Sequence, residues 1–83
     1  MHKILVEVYN PAASRSFDVF IPVKSKLYEV LMLLSSAVSE LSQGYYKASE
    51  QTILCDRKTG SVLDLGRTIE ELGLKNGEKL MLL

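Results

Sequence analysis

Residues 65–83 decide the fold, and they read Leu65-Gly-Arg-Thr-Ile-Glu-Glu-Leu-Gly-Leu-Lys-Asn-Gly-Glu-Lys-Leu-Met-Leu-Leu83. Thr68 and Glu71 have the three-residue spacing of a capping box, in which each side chain bonds the other residue's free backbone N–H. Gly73 follows as a helix stop, because glycine tolerates a positive φ. This part of the stretch therefore predicts one short helical turn.

The end of the stretch predicts the strand that closes a sheet. Asn76-Gly77 is a turn dipeptide, and it leads into the apolar segment 79–83. We expect the chain to finish inside this strand at Leu83, without a flexible tail for covalent chemistry.

Length, charge and cysteine content limit the class of protein. A chain of 83 residues predicts a single domain, spanning residues 1–83, with one modest core. Ten basic and ten acidic residues cancel, which argues against a nucleic-acid binder or a binder of anionic membranes. A single cysteine excludes an internal disulfide and suits a reducing compartment. The apolar runs are too short to cross a bilayer, so we expect a cytoplasmic protein.

The first half of the chain predicts a hairpin followed by a helix. Segments 3–9 and 17–21 are rich in β-branched and aromatic residues, and the polar turn between them contains Asn10-Pro11. Ser25 is a plausible helix cap, and Gln43-Gly44 a plausible helix stop. Residues at helical spacing predict the buried stripe: Leu27, Val30, Leu31, Leu34, Val38 and Leu41.

The second half predicts a short strand over 52–55 after a polar loop at 47–51, a turn over 56–60, and a short return strand at 61–63. A hairpin, a helix laid across it and further strands describe an α+β fold. The smallest such fold is the β-grasp roll, a mixed sheet of four to five strands with one main helix packed across one face.

The chain resembles ubiquitin over nearly its whole length, most clearly in Leu63-Asp-Leu-Gly-Arg-Thr-Ile-Glu-Glu-Leu-Gly-Leu-Lys-Asn-Gly-Glu-Lys-Leu80. Within that superfamily it is most similar to the bacterial YukD/EsaB proteins. They share the Phe-Asp-Val-x-Ile-Pro pattern of residues 17–22, a leucine-rich helix, and an ending like Gly77-Glu-Lys-Leu-Met-Leu-Leu83. The resemblance implies a non-conjugated accessory protein of a type VII (Esx-type) secretion system, whose partner is a protein of that machine or a second copy of itself.

The residues predict no catalytic, cofactor or metal site. Ubiquitin and the sulfur carriers act through a protruding C-terminal Gly-Gly, whereas this chain ends in Met81-Leu82-Leu83. Cys55 has no partner to activate it, since the one histidine is His2, so a small core residue facing inward with Ile53 is the favoured interpretation. The carboxylates lie scattered along turns, without the convergence that acid–base catalysis requires.

The outward face of the sheet is the first candidate partner site. Strand alternation predicts that five apolar residues lie there: Leu5, Phe20, Leu54, Met81 and Leu83. The resemblance to ubiquitin implies that Leu54 occupies the centre of this surface. Contiguous exposed apolar patches mark contacts, although singly exposed apolar residues are ordinary.

The back of the helix is the second candidate. Tyr28 and Met32 lie opposite the buried stripe, with Leu33 at their side. They form either a packing surface or a pair shielded by the loop 42–50. Tyr45-Tyr46 is favoured as a lid on the core edge over a binding spot.

The function expected is therefore a non-enzymatic protein–protein interaction module. Two alternatives stay open. One is a sulfur-carrier or modifier protein, which the missing diglycine disfavours, and the other is an interaction domain cut from a larger protein.

Overall fold

The computed structural model describes residues 2–44, 46–47 and 52–83. The strands are β1 (Lys3–Asn10), β2 (Arg15–Pro22), β3 (Leu54–Asp56) and β4 (Glu78–Leu82), and the helix α1 (Leu27–Leu41) lies between β2 and β3 in the chain. The sheet order is β2-β1-β4-β3, with β1 and β4 parallel and the other neighbours antiparallel. The predicted β-grasp roll, a mixed sheet covered by one helix, is confirmed. Tyr45 and residues 48–51 of the predicted loop lie outside the described residues.

One face of the sheet packs against α1 and forms the core. Val6 and Val8 of β1 and Leu80 of β4 are fully buried there, next to helix residues Leu27 and Val38. The alternation predicted for the hairpin is confirmed, because Ile4 pairs with Ile21, Val6 with Val19 and Val8 with Phe17 on this inner face. The opposite face, here called the outer face, carries Leu5, Glu7 and Tyr9 of β1 together with their strand neighbours.

The prediction that Leu54 points outward is wrong. β3 begins at Leu54 rather than at Thr52, and Leu54 pairs with Leu82 on the inner face. Leu54 is 1% exposed and belongs to the core. A shift of one residue moves every side chain of a strand to the other face, and a three-residue strand has too few residues for its alternation to be read from the sequence.

The ends of α1 are held by tertiary contacts as well as by local ones. The backbone N–H groups of Leu27 and Tyr28 donate to the carbonyl oxygens of Arg67 (2.8 Å) and Leu65 (3.1 Å), so a neighbouring loop satisfies the donors that a helix start leaves free. The N-cap is Lys26, not the predicted Ser25. The predicted stop is confirmed: Gln43 and Gly44 have φ values of 55° and 91°.

The predicted buried stripe of α1 is correct except at its end. Val30, Leu34 and Val38 are buried, and Leu31 packs against the core. Leu41 is 52% exposed, whereas Ser42, four residues after Val38, is buried.

The turns after β3 follow the sequence closely. The Asp56 carboxylate accepts from the N–H groups of Lys58 (2.8 Å) and Thr59 (3.2 Å) in the predicted turn. The predicted return strand at 61–63 is reduced to a single bridge between Val62 and Cys55. The capping box is confirmed, since Thr68 N–H donates to Glu71 Oε1 (2.8 Å) and Glu71 N–H donates to Thr68 Oγ1 (3.0 Å).

Two asparagines fasten the parallel pair β1–β4. Before β4, the N–H of Leu5 donates to Asn76 Oδ1 (2.7 Å), and the N–H of Gly77 donates to the Leu5 carbonyl oxygen (2.8 Å). At the other end, the buried Asn10 amide donates to the Leu82 carbonyl oxygen (2.9 Å) and accepts from Ala13 N–H (2.9 Å). These bonds fix the β1–β4 register on which the outer face depends.

Candidate interaction surface

Leu5 and Phe20 form one exposed apolar pair on the outer face. They are direct partners in the β1–β2 ladder, so their side chains lie next to each other. Leu5 is 37% exposed and Phe20 is 68% exposed. The structure therefore puts both where the sequence placed them.

Met81 and Leu83 lie at the other end of the outer face. Met81 is half-buried and pairs with Tyr9 of β1 and with Cys55 of β3. Leu83 is 46% exposed, and two backbone hydrogen bonds to Ile53, of 3.2 and 3.0 Å, continue the β3–β4 ladder to it. Both residues are on the predicted face, but neither is a strand-pairing partner of Leu5 or Phe20.

A row of charged residues separates the two apolar groups. Glu7 of β1 pairs with Asp18 of β2 on one side and with Lys79 of β4 on the other. This row crosses the sheet between the pair Leu5–Phe20 and the row that contains Tyr9 and Met81. The predicted contiguous patch of five apolar residues is therefore wrong: Leu54 belongs to the core, and charges divide the remaining four.

Arg57 lies over the middle of the outer face. Its backbone N–H donates to the Lys79 carbonyl oxygen (3.0 Å), its Nη1 is 3.4 Å from Glu7 Oε2, and its guanidinium carbon is 4.4 Å from the centre of the Tyr9 ring. Ion pairing and the attraction of a cation to an aromatic face both favour this position. Arg57 thereby neutralises Glu7 within the chain.

Cys55 is buried, as predicted, but on the opposite face from the one predicted. It pairs with Met81 on the outer side of the sheet, and its Sγ donates to the Met81 carbonyl oxygen (3.6 Å). Ile53, two residues earlier, shares that side. Burial, with a smaller contribution from the Asp56 carboxylate, raises the pKa of the Cys55 thiol. A raised pKa disfavours the thiolate that nucleophilic chemistry uses.

The helix back is exposed as predicted. Tyr28, Met32 and Leu33 all present apolar surface to solvent. Leu65 is exposed as well, and its carbonyl oxygen receives the Tyr28 N–H. The alternative interpretation has the loop 42–50 shield Tyr28 and Met32, and part of that loop lies outside the described residues.

Tyr46 is a lid on the core edge, as predicted. It is buried, its N–H donates to Ser42 Oγ (3.0 Å), and its hydroxyl donates to Thr52 Oγ1 (3.1 Å). Tyr45, the other half of that prediction, lies outside the described residues.

Sequence reasoning missed two members of the outer face, Tyr9 and Arg57. Alternation along β1 would have found Tyr9, since it follows Leu5 and Glu7 at the two-residue period. Arg57 sits in a turn, and nothing in its local sequence signals that its side chain crosses β4 to reach β1.

A cluster of metal ligands and a membrane-spanning helix are both absent from the described part of the chain. Residues 2–44, 46–47 and 52–83 contain no cluster of three metal-ligating side chains. Over the same ranges, no helix is both long enough and apolar enough to span a bilayer.

Neither the protein-family models nor the curated proteins contain a match to this sequence. Solved structures do match its fold. The ubiquitin-like domain of the type VII secretion protein EccD1 from Mycobacterium tuberculosis has a TM-score of 0.80 and 15% identity, with 100% of this chain and 99% of that chain covered.

Two other structures extend the range of similar proteins. A chain of the ESX-5 inner membrane complex matches with a TM-score of 0.74 and 17% identity, and the match covers 100% of this chain but 21% of that one. A chain of the toluene 4 monooxygenase HD complex matches with a TM-score of 0.82 and 11% identity, covering 98% of this chain and 96% of that one. At these identities the similarity establishes the fold, which is the ubiquitin-like β-grasp.

Proposed function

We propose that this chain is a non-enzymatic protein-interaction module, a single domain that acts in the cytoplasm as an accessory or regulatory component of a type VII secretion system. The observation that carries the proposal is the match to the EccD1 ubiquitin-like domain, in which each chain is covered almost completely. The resemblance to the YukD/EsaB proteins in residues 17–22 and 77–83 supports the same machinery.

The outer face is the proposed contact surface, through Leu5, Phe20, Met81 and Leu83. Phe20 is its most exposed apolar side chain, and the neighbouring Leu5 enlarges the apolar area. Removal of such surface from water contributes about 25 cal/mol of favourable free energy per Å² of apolar area, and this offsets part of the entropy that the two partners lose on association. Leu54 contributes only indirectly, by holding β3 in place.

Affinity capture from the source organism tests this proposal. The wild-type chain should retain a component of the secretion machinery, identified by mass spectrometry, and Phe20→Asp should lose it while keeping a native circular dichroism spectrum. The matched control is Tyr28→Ser with Met32→Ser, which removes exposed apolar surface from the helix back and should keep the component. If the control loses the component and Phe20→Asp retains it, the contact surface is the helix back and the outer face is the wrong choice.

A second candidate is a ubiquitin-like domain of a larger membrane-associated protein. The ESX-5 match favours it, because there a domain of this fold forms about a fifth of a longer chain. The open reading frame around the sequence decides between the two. It also decides the sulfur-carrier or modifier alternative, which requires a diglycine after Leu83.

A third candidate is a small subunit of an enzyme complex. The observation in its favour is the toluene 4 monooxygenase match, which covers nearly all of a chain of similar length. Co-purification of this chain with an oxygenase, and not with a secretion component, would select this candidate.

A further inference from the structure

On the outer face, the two strands beside β1 carry opposite charges. Glu7 has Asp18 beside it in β2 and Lys79 beside it in β4, so opposite charges flank β1 on its two sides. Among the described residues, neither Asp18 nor Lys79 has a salt-bridge partner. Glu7 itself is neutralised by Arg57.

The rows on either side of these charges are complementary in size. Leu5 has the large, exposed Phe20 on its β2 side, and on its β4 side it bonds Gly77, which has no side chain. Tyr9 has the small Ser16 on its β2 side and Met81 on its β4 side. In each row, a large side chain on one side of β1 therefore corresponds to a small residue on the other side.

We propose that the outer face binds a second copy of this chain about a two-fold axis that runs parallel to β1 and directly above it. The inference rests on the proposed function, since it names an occupant for the outer face. The axis exchanges the two flanks of β1, so that Asp18 of one copy meets Lys79 of the other. Phe20 then lies over the space above Gly77 of the second copy, and Met81 lies opposite Ser16.

The charges favour this axis over a second possible two-fold axis, which would also lie in the plane between the two copies. A two-fold axis perpendicular to the strands, through the charged row, would place Asp18 against Asp18 and Lys79 against Lys79, and like charges opposite each other disfavour a complex. On the chosen axis, Leu5 meets its own copy, and each Tyr9 meets its copy with the Arg57 guanidinium against its ring. The two Glu7 carboxylates also meet there, and each retains its Arg57 partner.

The size of the face predicts a weak and reversible dimer. On this axis β2, β1 and β4 overlap and β3 extends beyond the second copy. Three strands about 4.8 Å apart and three rows about 7 Å apart give about 300 Å² per copy, or about 600 Å² in total. Interfaces of this size belong to transient encounters. Because two of the contacts are ion pairs at the surface, added salt should weaken the dimer.

Charge reversal with mixing tests the geometry. Sedimentation of the purified wild-type chain at low ionic strength should show a concentration-dependent dimer. Asp18→Lys and Lys79→Glu each create two like-charge contacts, so each variant alone should associate at least about tenfold more weakly. An equimolar mixture of the two variants should form a heterodimer, and a chain that carries both changes should dimerise again, because both contacts between positions 18 and 79 are then between opposite charges.

The control is Glu40→Lys, the same sign of charge reversal on the exposed surface of α1, and it should leave self-association unchanged. Because Asp18 and Lys79 are exposed, both variants should keep the native circular dichroism spectrum, which is to be checked first.

Three results would overturn the inference. They are a wild-type chain that stays monomeric up to about 1 mM, dimerisation that Asp18→Lys does not weaken, and a mixture of variants that stays monomeric. The proposed function fails separately, when Phe20→Asp still captures the secretion component. A monomeric wild-type chain whose capture depends on Phe20 overturns the dimer alone.

Discussion

Leu54→Ala is the sharpest test of the tertiary structure, because the sequence places this side chain outside and the structure places it in the core. Leu54 is 1% exposed and shares the core with Leu82, its partner across the β3–β4 ladder. The change removes three buried carbon atoms, which costs about 2.4 kcal/mol at about 0.8 kcal/mol per methylene. Any cavity that stays open adds to this, and we expect a total near 3 kcal/mol.

A loss of that size is a large part of the stability of a small domain. At about 0.05–0.15 kcal/mol per residue, a domain of this length is stable by roughly 4–12 kcal/mol. Since 1 kcal/mol shifts the melting temperature of such a domain by about 4–8 °C, Leu54→Ala should lower it by at least about 12 °C. Urea unfolding followed by circular dichroism gives the free energy, and a thermal scan gives the temperature.

Leu83→Ala is the matched control, because it makes the same chemical change in an outer-face residue that is about half exposed. We expect a cost of about 1 kcal/mol or less, as for surface sites generally. If Leu54→Ala and Leu83→Ala cost the same small amount, Leu54 is not a core residue, and the β3–β4 register is incorrect.

Three further predictions follow from single sites. Cys55 should react with a thiol reagent at neutral pH far more slowly than a free cysteine and reach the ordinary rate in urea, because burial raises the pKa of its thiol; fast labelling of the folded chain would contradict this. The Thr68 backbone N–H, and then its hydroxyl, hold the pKa of Glu71 below its ordinary value of 4.5. The capping box therefore stabilises the fold above that pH, and this stabilisation is lost as the pH falls through the lowered pKa. Urea titrations at several pH values should show a flatter acid dependence for Glu71→Gln, and an unchanged profile would exclude the linkage. Asn10→Ala should destabilise the fold by about 1–3 kcal/mol, since it leaves the Leu82 carbonyl oxygen buried without its donor. Calorimetry measures this loss of stability. The control is Asn76→Ala, which removes an exposed hydrogen bond at the other end of the β1–β4 pair and should cost less.

The sequence alone determined most of the fold, because the signals involved are local. Thr68 and Glu71 bond each other three residues apart, and Gly44 follows the end of α1 with a positive φ that glycine adopts readily. The eight-residue strands β1 and β2 are long enough for alternation to identify their inner and outer faces. For the same reason the residue pattern alone places Leu5 and Phe20 correctly on the outer face.

Only the tertiary structure decided the rest of the outer face. The register of β3 depends on its pairing with β4, which is more than twenty residues away in the chain, and that pairing buries Leu54 and turns Cys55 outward. Arg57 reaches Glu7 and Tyr9 across β4. Asp18 and Lys79 become neighbours of Glu7 only when β2 and β4 align on β1. Such relations join distant segments, and their energies depend on distances that no local pattern of residues encodes.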